Sequence, residues 1–122
     1  KILITKNDKF YFYESNKKQV ALIATLSLKM KQQFPGHEVI VTASDPTFCN
    51  IAGLNNFKSV YNPSFLNNMQ VLSHNKPLVI LAILSKNTLK DYSVFINNPK
   101  VNLIEVIGNQ YFYIVNVTDH RL

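Results

Sequence analysis

A single cysteine, Cys49, excludes a disulfide framework and a cysteine-rich zinc site. Three isolated glycines can build neither a phosphate-cradling Walker loop nor a dinucleotide fingerprint. Arginine is almost absent: Arg121 stands alone against 12 lysines. Nucleic-acid modules usually read phosphates and bases through arginine forks, or through aromatics interleaved with a basic stripe. Here the lysines are spread along the chain, closest together at Lys17-Lys18 and Lys29/Lys31. The run Lys9-Phe10-Tyr11-Phe12-Tyr13 reads more simply as a strand beside a turn, so nucleic acid is not expected as a partner. The longest apolar run, Leu78 to Leu84, falls far short of the roughly 20 residues that cross a bilayer.

What remains is an ordinary folding composition. Of 122 residues, 47% are hydrophobic and 16% charged, which excludes intrinsic disorder. A chain of this size buries roughly two-thirds of its unfolded surface. Residues 1–122 are therefore expected to form a single α/β domain, with a core that needs no metal or disulfide. The formal net charge of +6 suits an anionic partner. Because the sequence opens on Lys1 rather than methionine, it is expected to be part of a longer protein whose targeting information lies upstream.

Strand and helix signals alternate. Ile2 to Ile4 and Phe10 to Tyr13 are short strand candidates around the turn residues Asn7-Asp8, and Glu14-Ser15-Asn16 offers caps for a long helix. In that helix Val20, Ile23, Ala24, Ser27, Met30 and Phe34 share one face, with Lys18, Thr25, Lys29 and Gln32 opposite, until Pro35-Gly36 stops it. Glu38 to Ala43 is a β-branched strand. Asp45-Pro46 then caps and starts a short helix over Thr47 to Ala52, with Gly53 expected as its left-handed terminal residue. Asn62-Pro63 repeats the device between the strand Phe57 to Tyr61 and a helix reaching about Ser73. Leu78 to Leu84 reads as a central strand covered on both faces. A helix from Thr88 to about Ile96 follows, capped by Ser85 or Asn87; then come strands Val101 to Ile107 and Tyr111 to Val117 around a Gly108-Asn109 hairpin turn. This order predicts a mostly parallel sheet flanked by helices, finished by an antiparallel edge hairpin.

Chemistry-bearing residues are sparse. Asp45 ends one predicted strand, and Ser85, Lys86 and Asn87 end another; open α/β sheets bind ligands beyond such strand ends. These four are the candidate ligand-binding residues, with helix capping as the simpler role. No second acid or oriented base accompanies Asp45, so no catalytic residue is assigned. Cys49 lies in the apolar stretch Phe48 to Leu54 and reads as a buried thiol rather than a nucleophile. His37, His74 and His120 share no metal-binding spacing, and neither metal nor cofactor is expected. Asn116-Val117-Thr118 matches the glycosylation tripeptide but falls in a predicted strand.

Three stretches carry a resemblance. They are Val39-Ile40-Val41-Thr42-Ala43-Ser44-Asp45-Pro46 leading into Ile51-Ala52-Gly53-Leu54, then Pro77-Leu78-Val79-Ile80-Leu81, and finally Tyr111-Phe112-Tyr113-Ile114-Val115-Asn116-Val117. Together with the element order, they resemble the extracytoplasmic C-terminal domain of polytopic membrane glycosyltransferases. These are the bacterial relatives of protein O-mannosyltransferases and aminoarabinose transferases, which use lipid-linked sugars. The resemblance implies a non-catalytic accessory domain at the extracytoplasmic face of a bacterial membrane. In that family the catalytic carboxylate belongs to the membrane portion, so no family catalytic residue maps onto this chain. The implied partners are the membrane portion of the same chain, anionic lipid headgroups and the lipid-linked sugar. The alternative is a stand-alone module that binds a small anionic ligand or a partner protein at the strand ends near Asp45 and Lys86. A third reading, an enzyme using Cys49, requires an activated thiol.

Overall fold

The computed structural model describes residues 17–54, 57–72 and 77–117. The opening strand candidates, the Glu14-Ser15-Asn16 caps, His74, His120 and Thr118 lie outside them. Helix α1 (Lys17–Gln33) leads into strand β1 (Glu38–Ala43), helix α2 (Pro46–Leu54) and strand β2 (Lys58–Val60). A 3₁₀ segment, Pro63–Leu72, connects to strand β3 (Leu78–Ser85). A second 3₁₀ segment, Lys86–Tyr92, passes into the one-turn helix α3 (Ser93–Ile96), and strands β4 (Asn102–Ile107) and β5 (Gln110–Val117) close the fold.

The five strands form one mixed sheet in the order β2-β1-β3-β5-β4. β1 pairs in parallel with β2 and with β3, whereas β3–β5 and β4–β5 are antiparallel. A mixed α/β sheet flanked by helices is thus established, but parallel pairing is confined to the β2-β1-β3 half. The antiparallel hairpin finishes the sheet at one edge, as expected, with β5 as its inner strand. β5 docks against β3 over eight paired positions, Leu78↔Val117 to Ser85↔Gln110, and β4 alone forms the edge. Packing decides which strand goes inside. β5 buries Phe112, Tyr113, Val115 and Val117, while Asn102 to Val106 of β4 are all exposed.

Each face of the sheet carries its own core. On one face α1 and α2 place Ile23, Met30, Phe48, Cys49 and Ile51 against Val41, Leu81, Ile83 and Phe112. On the other, Leu66 and Phe95 pack against Ile80, Leu84, Tyr113 and Val115, with Phe95 edge-on to Tyr113 at 6.0 Å. β3 lies between the two cores, and every residue from Leu78 to Leu84 is buried. Its unbroken apolar sequence follows from having no solvent-facing side.

Two helical expectations are corrected. The Thr88-to-Ile96 helix is a 3₁₀ segment followed by a single α turn, and the Pro63–Leu72 segment is 3₁₀ with a break at Asn68 (φ −138°, ψ 65°). Exposed Val94, falling among the polar positions, already disturbs the apolar spacing of the first of these. Gly53 does not terminate its helix: α2 runs on through Leu54, and positive φ occurs at Gly36 (82°) and Gly108 (59°) instead. At Gly108 the expectation holds, since a two-residue turn there joins Ile107 to its partner Gln110.

Candidate functional site

β1 and β3 are parallel neighbours in register, with Ala43 opposite Ile83, so the segments that follow them emerge side by side. They then diverge. The chain leaving β1 enters α2 on one face, and the chain leaving β3 enters Lys86–Tyr92 on the other. Such a divergence is the topological switch point at which open α/β sheets form a crevice.

Side chains stitch this crevice together. The Ser85 amide donates to Ser44 Oγ at 2.8 Å, the two serine hydroxyls are 3.1 Å apart, and the Ser44 amide donates to the Ile83 carbonyl at 3.0 Å. Ser85 Oγ also donates to Asn87 Oδ1 at 2.9 Å, and Thr88 Oγ1 donates back to the Ser85 carbonyl at 2.9 Å. Ser85 occupies the helix-cap position, but its hydroxyl makes no cap bond to the following turn.

Asp45 performs the structural task its sequence context suggests. Its Oδ1 accepts from the Thr47 amide at 3.0 Å and its carbonyl from the Phe48 amide at 3.1 Å, capping α2. Asn62 acts in the same way, accepting from the Ser64 amide at 3.0 Å ahead of Pro63. Such a cap contributes about 1 kcal/mol.

Of the four candidate residues, three line one feature. Ser85, Lys86 and Asn87 border an open depression of ≈ 590 Å³, together with Asn109 and Gln110 of the hairpin; Asp45 does not line it. The Lys86 amide donates to the Asn109 carbonyl at 2.7 Å, tying the hairpin turn to the end of β3. Lys86 itself is exposed. Asn109 and Gln110 escape sequence reasoning because the Gly108-Asn109 turn is visible there, but the strand it docks beside is not.

Cys49 is fully buried. Burial pushes its thiol pKa up, the Ala43 backbone opposes this weakly, and the Asp45 carboxylate adds to the rise. Its Sγ lies 3.5 Å from the Val60 carbonyl. A protonated, enclosed thiol is a packing group, not an activated nucleophile. His37 lies against Phe34, with ring centroids 5.3 Å apart and Nδ1 3.5 Å from the Pro35 carbonyl. Among the described residues no group of three or more His, Cys, Asp or Glu side chains could hold a metal ion, and no helix is long and apolar enough to cross a membrane. No family model, no curated protein and no solved structure matches the chain.

Proposed function

We propose that this chain is a non-catalytic accessory domain of a membrane glycosyltransferase that uses lipid-linked sugars. One observation carries the non-catalytic part: the polar side chains at the strand ends are engaged in holding the turns. Asp45 caps α2, and Ser44, Ser85, Asn87 and Thr88 bond to one another across the β1–β3 divide. The transferase part rests on the resemblance of three segments, which fold here as β1 with α2, as β3 and as β5. Those strands are adjacent in the sheet, so the resembling stretches form one continuous structural unit. In this reading the domain sits at the extracytoplasmic face of a bacterial membrane, beside the membrane portion of its own chain. The net charge of +6 favours contact with anionic headgroups or a lipid-phosphate donor.

Reading the coding sequence upstream of Lys1 and assaying transfer with and without the domain tests this. Several encoded apolar spans of about 20 residues each are expected, with sugar transfer weakened when the domain is deleted. A gene without such spans overturns the reading.

The depression at Ser85, Lys86 and Asn87 favours a second reading, a module that binds a small anionic ligand through the exposed Lys86 ammonium. Inorganic phosphate, glucose 1-phosphate and UMP titrated against the ¹⁵N-labelled protein discriminate the two. Saturable amide shifts confined to residues 85–87 and 109–110 support ligand binding, and unchanged spectra reject it.

A further inference from the structure

The depression at the end of β3 is polar throughout its lining. Among the described residues that border it, Lys86 is the one cation and none is an acid; Ser85, Asn87, Asn109 and Gln110 are neutral hydrogen-bonding groups. No apolar or aromatic side chain is among them. Its ≈ 590 Å³ falls within the roughly 300–1,000 Å³ of small-molecule sites, and its wall suits a small polar ligand.

The backbone holds this lining in place. The Lys86 amide donates to the Asn109 carbonyl at 2.7 Å, and Ser85 is paired with Gln110 in the β3–β5 ladder. Directly opposed residues of an antiparallel pair share a face, so the Ser85 hydroxyl and the Gln110 side chain lie on the same side of the sheet. Ser85 Oγ donates to Asn87 Oδ1 at 2.9 Å. With its oxygen engaged there, Asn87 offers a ligand its Nδ2 donor. Lys86 and Asn87 therefore present donors from the end of β3. Gln110 supplies the opposite function. Its Oε1 is enclosed and accepts no hydrogen bond. Buried acceptors are seldom left in that state, because the bond to water is given up and nothing replaces it. Turning the carboxamide toward the depression breaks no bond of Oε1 and lets it accept one.

We infer that the depression takes a small anion that also carries hydroxyl groups, of the class of polyol phosphate monoesters. Its anionic oxygens lie at Lys86 and Asn87, and a neighbouring hydroxyl donates to Gln110 Oε1. The inference rests on the anion-binding reading of this depression and adds the hydroxyl to it. An anion without hydroxyls engages the β3 end and leaves Gln110 unpaired. Sites that hydrogen-bond a ligand hydroxyl reject the analogue lacking it, since the buried partner is then left without a bond.

The test is titration of the ¹⁵N-labelled 122-residue chain with glycerol 3-phosphate and with n-propyl phosphate, which share the charged group and differ in their hydroxyls. Amide shifts at residues 85–87 and 109–110 are expected to saturate at about tenfold lower glycerol 3-phosphate, with the Gln110 side-chain amide resonances moving for that ester alone. Lys86→Ala is expected to weaken both esters by a similar factor, and Gln110→Met to bring the two affinities into line, with β3 and β5 amide positions as the folding control. Equal affinities in the unaltered chain overturn the hydroxyl assignment while anion binding stands. An absence of shifts with either ester ends both readings. A preference for glycerol 3-phosphate that survives in folded Gln110→Met overturns the role of Gln110. The comparison of esters on the unaltered chain decides even where a variant unfolds.

Discussion

β3 and β4 are both strands of branched and apolar residues, yet they occupy opposite ends of the burial scale. Leu78 to Leu84 of β3 are all buried, between two cores, whereas Asn102 to Val106 of β4 are all exposed. The difference comes from what flanks each strand. β3 has β1 and β5 on its sides and helical layers on both faces; β4 has β5 on one side. Strand propensity therefore sets the local conformation, while position in the sheet sets the contribution to stability.

Truncation sharpens that contrast most strongly. Leu81→Ala removes a fully buried side chain in the middle of β3 and is expected to cost about 3 kcal/mol. The same change at Leu103, half-exposed on β4, is expected to cost less than about 1 kcal/mol by urea denaturation. Equal losses at the two positions would break the distinction between interior and edge.

The two ends of the comparison also differ in their glycines. Gly108, at φ 59° in the hairpin that carries β4, is expected to lose about 1 kcal/mol on replacement by alanine. Gly53 lies inside α2 without positive φ, and an added Cβ meets Ser59 Oγ at an ordinary 3.9 Å. Gly53→Ala is expected to raise stability by about 0.5 kcal/mol through helix propensity, seen as a higher denaturation midpoint. A loss at Gly53 would restore the terminating role its sequence position suggests.

Cys49 probes the interior half through pH. Its folded pKa is raised, so its contribution to stability is complete below the ordinary thiol range and is lost as pH rises through the folded value. The denaturation midpoint is expected to fall above about pH 9, with a shallower fall in Cys49→Ala. Tyr92 and Tyr113, whose pKa values burial also raises, add to the decline at still higher pH. Identical alkaline slopes in both proteins would remove the thiol from this explanation.

Local signals were legible in the sequence where one residue type has one conformational use. Asp45-Pro46 and Asn62-Pro63 mark their turns, Gly108 marks the hairpin, and the uninterrupted run of β3 marks a strand covered on both sides. Pairing was less legible. Both hairpin strands are apolar enough to dock against β3, and only the packing of Phe112, Tyr113 and Val115 shows that β5 takes that place. The 3₁₀ segments carry the same sequence signal as regular helices, because spacings of three and four residues fit both forms over two turns. At the candidate site, Ser85, Lys86 and Asn87 are legible because they end a strand. Asp45 follows a strand end in the same way, but its carboxylate caps α2 and does not line the depression.

The assignment of the strand-end hydroxyls to structure is tested most directly by a double-mutant cycle on Ser44 and Ser85. Equilibrium unfolding of Ser44→Ala, Ser85→Ala and the double variant should show destabilisation in each single change and a coupling of about 1 kcal/mol. Zero coupling, or a gain in stability on removing either hydroxyl, would contradict it, because residues retained for a ligand commonly cost the empty fold stability.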